Sequence, residues 1–166
     1  HLGTYTPLRL VEEATQLAKF LAPDILLLTG DYIHLGLMAP RLLALKIGGR
    51  KLAQWSPYRR RIRAHCLELG ALITSIAPKT GTIGTWGNHD HLEGIWTIRR
   101  NLPSSIVWLE NSATVISKDG QKLSIGGLDD ITRGNPQMAT TLSALNAETM
   151  SATRILLSHN PDITRL

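Results

Sequence analysis

Asp31, Asn88, His89, Asp90 and His159 are the residues whose types and spacing could do chemistry. Aspartate and histidine bind divalent cations, and asparagine offers a neutral hard oxygen. Glycines stand beside them in Gly30-Asp31 and Gly87-Asn88-His89-Asp90. There the backbone can pass close to an ion or a phosphate. Each cluster alone also has a plain structural reading. A Gly-Asp pair makes turns, Asn-His-Asp after a glycine can cap backbone groups, and a strand-end histidine is usually a packed one. Short motifs misfire often. The weight lies in their common placement, because each follows an apolar run that reads as a strand.

Those runs imply the elements that must position the site. Ile25 to Leu28 is a continuous apolar stretch, the pattern of a strand buried on both faces. Thr82 to Trp86 and Arg154 to Leu157 end at Gly87 and Ser158 in the same way. In open α/β sheets, sites collect at the carboxyl ends of strands, so the three clusters can converge. Leu10 to Leu21 reads as a helix, with Leu10, Ala14, Leu17, Ala18 and Leu21 on one face and Pro23 ending it. Arg59 to Ile76 is a second helix, with Ile62, Cys66, Leu69, Ile73 and Ile76 on one stripe. Cys66 reads there as a packed thiol. A short helix from Leu92 to Arg100 follows, and Trp86 reads as core. Ile106–Leu109, Ala113–Ser117 and Lys122–Ile125 are further strands, the last two joined by the hairpin signal Asp119-Gly120. Pro136 to Met150 reads as a helix with proline in its first turn. Strands alternating with helices, then a hairpin, indicate an α/β fold with a mixed sheet.

The 166 residues suffice for one domain with a substantial core. The net charge of +5 is unevenly placed. Between Tyr32 and Ala64 stand eight basic residues and no acidic one, whereas the rest carries ten basic and thirteen acidic residues. A local field of that sign attracts phosphates, anionic lipid or nucleic acid. No apolar run approaches the roughly 20 residues that span a bilayer. The opening His1-Leu2-Gly3-Thr4 lacks a signal-peptide pattern. Location is left open between the cytoplasm and a membrane surface.

The order His1-Leu2-Gly3, Gly30-Asp31, Gly87-Asn88-His89-Asp90 and Ser158-His159-Asn160-Pro161-Asp162 resembles the motif series of the calcineurin-like metallophosphoesterases. Gly126-Gly127-Leu128-Asp129-Asp130 resembles a stretch in a bacterial branch of membrane-associated phosphodiesterases and UDP-diacylglucosamine pyrophosphohydrolases. The resemblance implies a sandwich of two mixed sheets flanked by helices. It also implies two divalent metal ions, manganese, iron or zinc. His1 resembles a ligand of the first metal, Asp31 the bridging carboxylate, and Asn88 and His159 ligands of the second. His89 resembles the group that contacts the phosphate and protonates the leaving group, with Asp90 orienting it. The family pattern would place an aspartate before His1 and a Gly-His-Thr-His motif after Leu166, so this stretch holds four of seven expected ligands.

The resemblance implies a phosphoesterase that cleaves a phosphodiester or pyrophosphate bond with a metal-bound hydroxide. The substrate would be a phosphate ester, lipid-linked or nucleotide-linked. The basic segment 35–63 reads as an insertion or lid over the pocket, with peripheral contact to an anionic membrane, or as a surface helix with solvated arginines. The rivals are a nuclease of the same superfamily, supported by Arg59–Arg63 with Trp55 and Tyr58, and a non-catalytic module that keeps the fold. Nucleic acid is the less favoured partner. His34, His91 and Arg59 are candidate substrate contacts, although the two histidines read somewhat more readily as exposed loop residues. Asp129 and Asp130 read as pocket-rim groups or ordinary turn formers.

Overall fold

The computed structural model describes residues 2–36, 46–47, 50–51, 56–147 and 152–165. In chain order the elements are β1 (Leu2–Gly3), α1 (Leu8–Leu21), β2 (Ile25–Leu28), β3 (Ile33–His34), β4 (Lys46–Ile47), β5 (Arg50–Lys51), α2 (Ser56–Ile76) and β6 (Gly81–Gly84). There follow α3 (Asn88–Glu93), α4 (Ile95–Asn101), β7 (Ile106–Trp108), β8 (Ser112–Lys118), β9 (Gln121–Gly127), α5 (Met138–Asn146), β10 (Thr153–Leu157) and a 3-10 turn (Pro161–Arg165).

Two three-stranded sheets carry the fold. One runs β2-β6-β7 with both pairings parallel. The other runs β10-β9-β8, with a parallel β9–β10 pair and an antiparallel β8–β9 hairpin. Strand side chains alternate between faces, and the cores follow that alternation. Ile25 and Leu27 point with Ile83 toward Ile125, Leu157, Ile116, Leu123 and Ile155, so the sheets face each other across an apolar layer. Leu26 and Leu28 point the other way, into a cluster with Ile62, Cys66, Leu69 and Ile73 of α2 and Leu8 and Val11 of α1. α5 covers the outer face of the second sheet, where Thr141 and Leu145 lie against Gly126. The result is a sandwich with helices outside. The first sheet is parallel among the described residues, and only the second is mixed.

Several local expectations change. The Leu10, Leu17 and Leu21 side of α1 is exposed, while Val11 packs inward and Thr15 is buried. Helical spacing defines a stripe but not which side of it meets the sheet. β2 is an edge strand of its sheet and only half buried. The expected helix 92–100 begins earlier and divides at Gly94, whose φ of 102° suits glycine. Pro136 lies outside α5, whose N-cap is Gln137. The Asp119-Gly120 hairpin is present, with φ of 50° and 77° as its turn type requires. Cys66 is fully buried, and burial pushes its thiol up to about 12, so it behaves as a packed apolar group. Most of the expected lid over 35–63, Trp55 included, lies outside the described residues.

Candidate metal centre

Two glycine loops meet at the carboxyl ends of β2 and β6. A Cβ on Gly30 would overlap the backbone of Gly87, and one on Gly87 would overlap the Asp31 carboxylate. Only glycine lets the loops touch this closely. The contact places Asp31 directly above the start of α3. Asp31 itself is left-handed, at φ 59°. Aspartate tolerates that region better than most residues, at a cost that the surrounding structure must offset.

Asp90 supplies that support. Its carboxylate accepts the backbone N–H groups of Asp31 at 2.7 Å, Tyr32 at 2.8 Å and Gly87 at 2.9 Å. The Gly87 bond is the half of a capping box that a glycine N-cap can make. Asp90 is fully buried, and burial raises its carboxyl to about 6 although the three N–H groups pull it down. Asp90 therefore acts as a positioning residue for both loops. The His89 amide adds a further tie, donating to Asp31 Oδ1 at 2.9 Å.

His159 arrives from the end of β10 in the other sheet. Its Nδ1–H donates to the Thr29 carbonyl at 2.9 Å. In the neutral ring this fixes the tautomer and leaves Nε2 with its lone pair. That nitrogen faces Asn88 Oδ1 at 3.1 Å and Asp31 Oδ2 at 3.3 Å. A ring nitrogen, an amide oxygen and a carboxylate oxygen thus converge. This donor set fits a divalent cation, and a histidine held through its other ring nitrogen by a carbonyl is the usual support for a metal ligand. Among the described residues no three His, Cys, Asp or Glu side chains form such a cluster. The trio here includes the Asn88 amide.

The His34 and His89 rings stack at 3.8 Å. Burial, then the neighbouring His89, holds His34 below its ordinary value. His91 is tied down: its Nε2 donates to Asp129 Oδ1 at 2.7 Å, joining α3 to the second sheet. His1 lies outside the described residues. Arg59 is exposed and lines a separate cleft between α2 and α4.

Several supporting residues carried little sequence signal. Asp129 and Asp130 are buried. Asp129 also accepts the amides of Asp130 and Asn135. Asp130 Oδ1 accepts the Thr132 amide and hydroxyl and the Arg133 amide, while Oδ2 has no partner among the described residues. Burial pushes the Asp130 carboxyl up, but these donors and His159 outweigh it and hold it below the ordinary range. Glu93, also buried, accepts the Leu35 amide at 2.8 Å and bonds the Tyr58 hydroxyl. The Gly-Asp-like pattern 126–130 was the available signal for the two aspartates; nothing local marked Glu93.

No family model matches the chain. Over 94 residues, 55% of this chain, it is 33% identical to an uncharacterized metallophosphoesterase, YkuE of Bacillus subtilis (strain 168). The matched stretch is 32% of that relative. In structure the chain is similar to the NAD nucleotidase (NadN) of Haemophilus influenzae, with a TM-score of 0.55 and 18% identity over 94% of this chain and 29% of that one. The first likeness supports the metallophosphoesterase superfamily, and the second shows the shared mixed α/β fold. Among the described residues, no helix is long and apolar enough to cross a membrane.

Proposed function

We propose that the protein is a metal-dependent phosphoesterase that cleaves a phosphodiester or pyrophosphate bond at a dinuclear centre. The observation that carries the reading is the convergence of His159 Nε2, Asn88 Oδ1 and Asp31 Oδ2. These three would hold one divalent cation, Asp31 would bridge to the second, and His1 would complete that side. Divalent cations there supply charge neutralisation for the phosphate and a nucleophile at neutral pH.

The chain's own residues do the rest. Asp90 and the Gly30–Gly87 contact preorganise Asp31, so no reordering is needed when substrate arrives. The Thr29 carbonyl keeps Nε2 of His159 directed inward. His89 is anchored through its backbone to Asp31 and through its ring to His34, beside the cation site. From there it can deliver a proton to the departing oxygen of an unactivated ester. The positive excess over 35–63 favours a large phosphate ester, lipid-linked or nucleotide-linked, and contact with an anionic membrane.

The test is hydrolysis of bis(4-nitrophenyl) phosphate with and without manganese, for the wild type and Asp31→Asn. Manganese-dependent turnover in the wild type, falling at least about a hundredfold in the variant, is expected. Turnover that is absent in the wild type, or undiminished in Asp31→Asn, would overturn the proposal.

A further inference from the structure

A cleft of about 440 Å³ opens between α2 and α4, lined by Arg59, Arg63, Trp96, Thr97, Arg100 and Asn101. None of these belongs to the Asp31, Asn88 and His159 cluster. Arg59 and Arg63 stand one turn apart on α2 and so share a face. Arg100 faces them from the last turn of α4, its guanidinium 4.7 Å above the Trp96 ring. This cation–π contact restricts the direction in which Arg100 points. The Asn101 amide is fixed by its bond to the Thr97 carbonyl at 2.8 Å.

Among the described residues no acidic side chain lines the cleft. Guanidinium groups approaching from two sides match the oxygens of a phosphate, which can accept from several forks at once. Trp96 is 71% exposed at the same site, a large apolar surface left open beside the cations. Its ring suits the carbon-bearing part of a ligand rather than an inorganic ion alone.

We propose that the cleft between α2 and α4 is an anion site that takes the phosphate group of an organic phosphate, with Arg59, Arg63 and Arg100 on the oxygens and Trp96 against the attached carbon skeleton. The site uses none of the Asp31, Asn88 and His159 side chains. It gives the Arg59–Arg63 run a defined ligand-binding face made of Arg59 and Arg63, with Arg60 and Arg61 on other sides of the helix by its spacing.

The test uses protein freed of metal on a chelating resin, so that the Asp31 cluster does not contribute. Inorganic pyrophosphate is titrated in by calorimetry, and Trp96 fluorescence is followed in parallel. Saturable binding is expected for the wild type. Arg59→Ser with Arg63→Ser, and separately Arg100→Ser, should weaken it at least about tenfold. Arg60→Ser with Arg61→Ser removes the same charge as the first pair and should change affinity less than about twofold. Circular dichroism confirms that each variant keeps its helices. Trp96→Phe should abolish the fluorescence change while the binding heat persists. Equal weakening in both double variants, or no saturation up to about 10 mM, would overturn the site. Two further arms identify the source of the phosphate. Cosedimentation with phosphatidylglycerol but not phosphatidylcholine vesicles, reversed by pyrophosphate, indicates a lipid headgroup. Pyrophosphate binding without cosedimentation indicates a soluble organic phosphate.

Discussion

His159 Nε2 stands 3.1 Å from Asn88 Oδ1, although 71 residues separate them in the chain and they descend from different sheets. Their approach is maintained from behind, by the Thr29 carbonyl on His159 and by the glycine contact that seats the start of α3. Both groups are thus positioned before any ligand binds, as the proposed cation site requires.

His89 is expected to matter for turnover and not for metal retention. His89→Ala should lower kcat about 10²- to 10⁴-fold on a diester with an alkyl leaving group. The loss should be much smaller with a 4-nitrophenyl leaving group, which departs without a proton. Manganese content, measured by elemental analysis, should equal that of the wild type. Full activity of the variant on the alkyl diester would remove His89 from the acid role.

Gly30 should not tolerate a methyl group. Its φ of 97° is unfavourable for alanine, and the added Cβ would meet the Gly87 backbone. Gly30→Ala should cost about 2–4 kcal/mol of unfolding free energy, combining backbone strain with overpacking. Urea denaturation measures the loss. A cost below about 0.5 kcal/mol would show that the loops are not in contact.

The strand ends were legible because glycine and ligand-type residues follow directly on short apolar runs. Asp31, Asn88 and His159 could be grouped from those signals alone. Other features depend on contacts that leave no local trace. The His91–Asp129 pair joins α3 to the second sheet across 38 residues, and the sequence around His91 reads as an ordinary polar turn. The inward side of α1 was not legible either, since Leu10, Leu17 and Leu21 form the more apolar stripe and yet face solvent. The Arg59 cleft needs the partner helix α4 to exist at all.

Glu93 makes stability depend on pH. Burial raises its carboxyl from an ordinary 4.5 to about 7, against the pull of the Leu35 amide. Between those values the folded state holds a proton that the unfolded chain has released. The stabilisation present below pH 4.5 is therefore lost progressively as pH rises through about 7. Glu93→Gln keeps an acceptor for Leu35, presents an amide N–H to the Tyr58 oxygen in place of the oxygen that accepts from it, and has no proton to lose. Relative to this variant, the wild type should lose roughly 2 kcal/mol between pH 4.5 and pH 8, by denaturant titration at both values. A constant difference, or one that grows in favour of the wild type, would contradict the assignment.

The most direct measurement is an anomalous difference map from crystals soaked in manganese. A strong peak is expected about 2.0–2.3 Å from His159 Nε2, Asn88 Oδ1 and Asp31 Oδ2 together. No peak there, or manganese bound only at sites away from these three atoms, would contradict the proposed cation site.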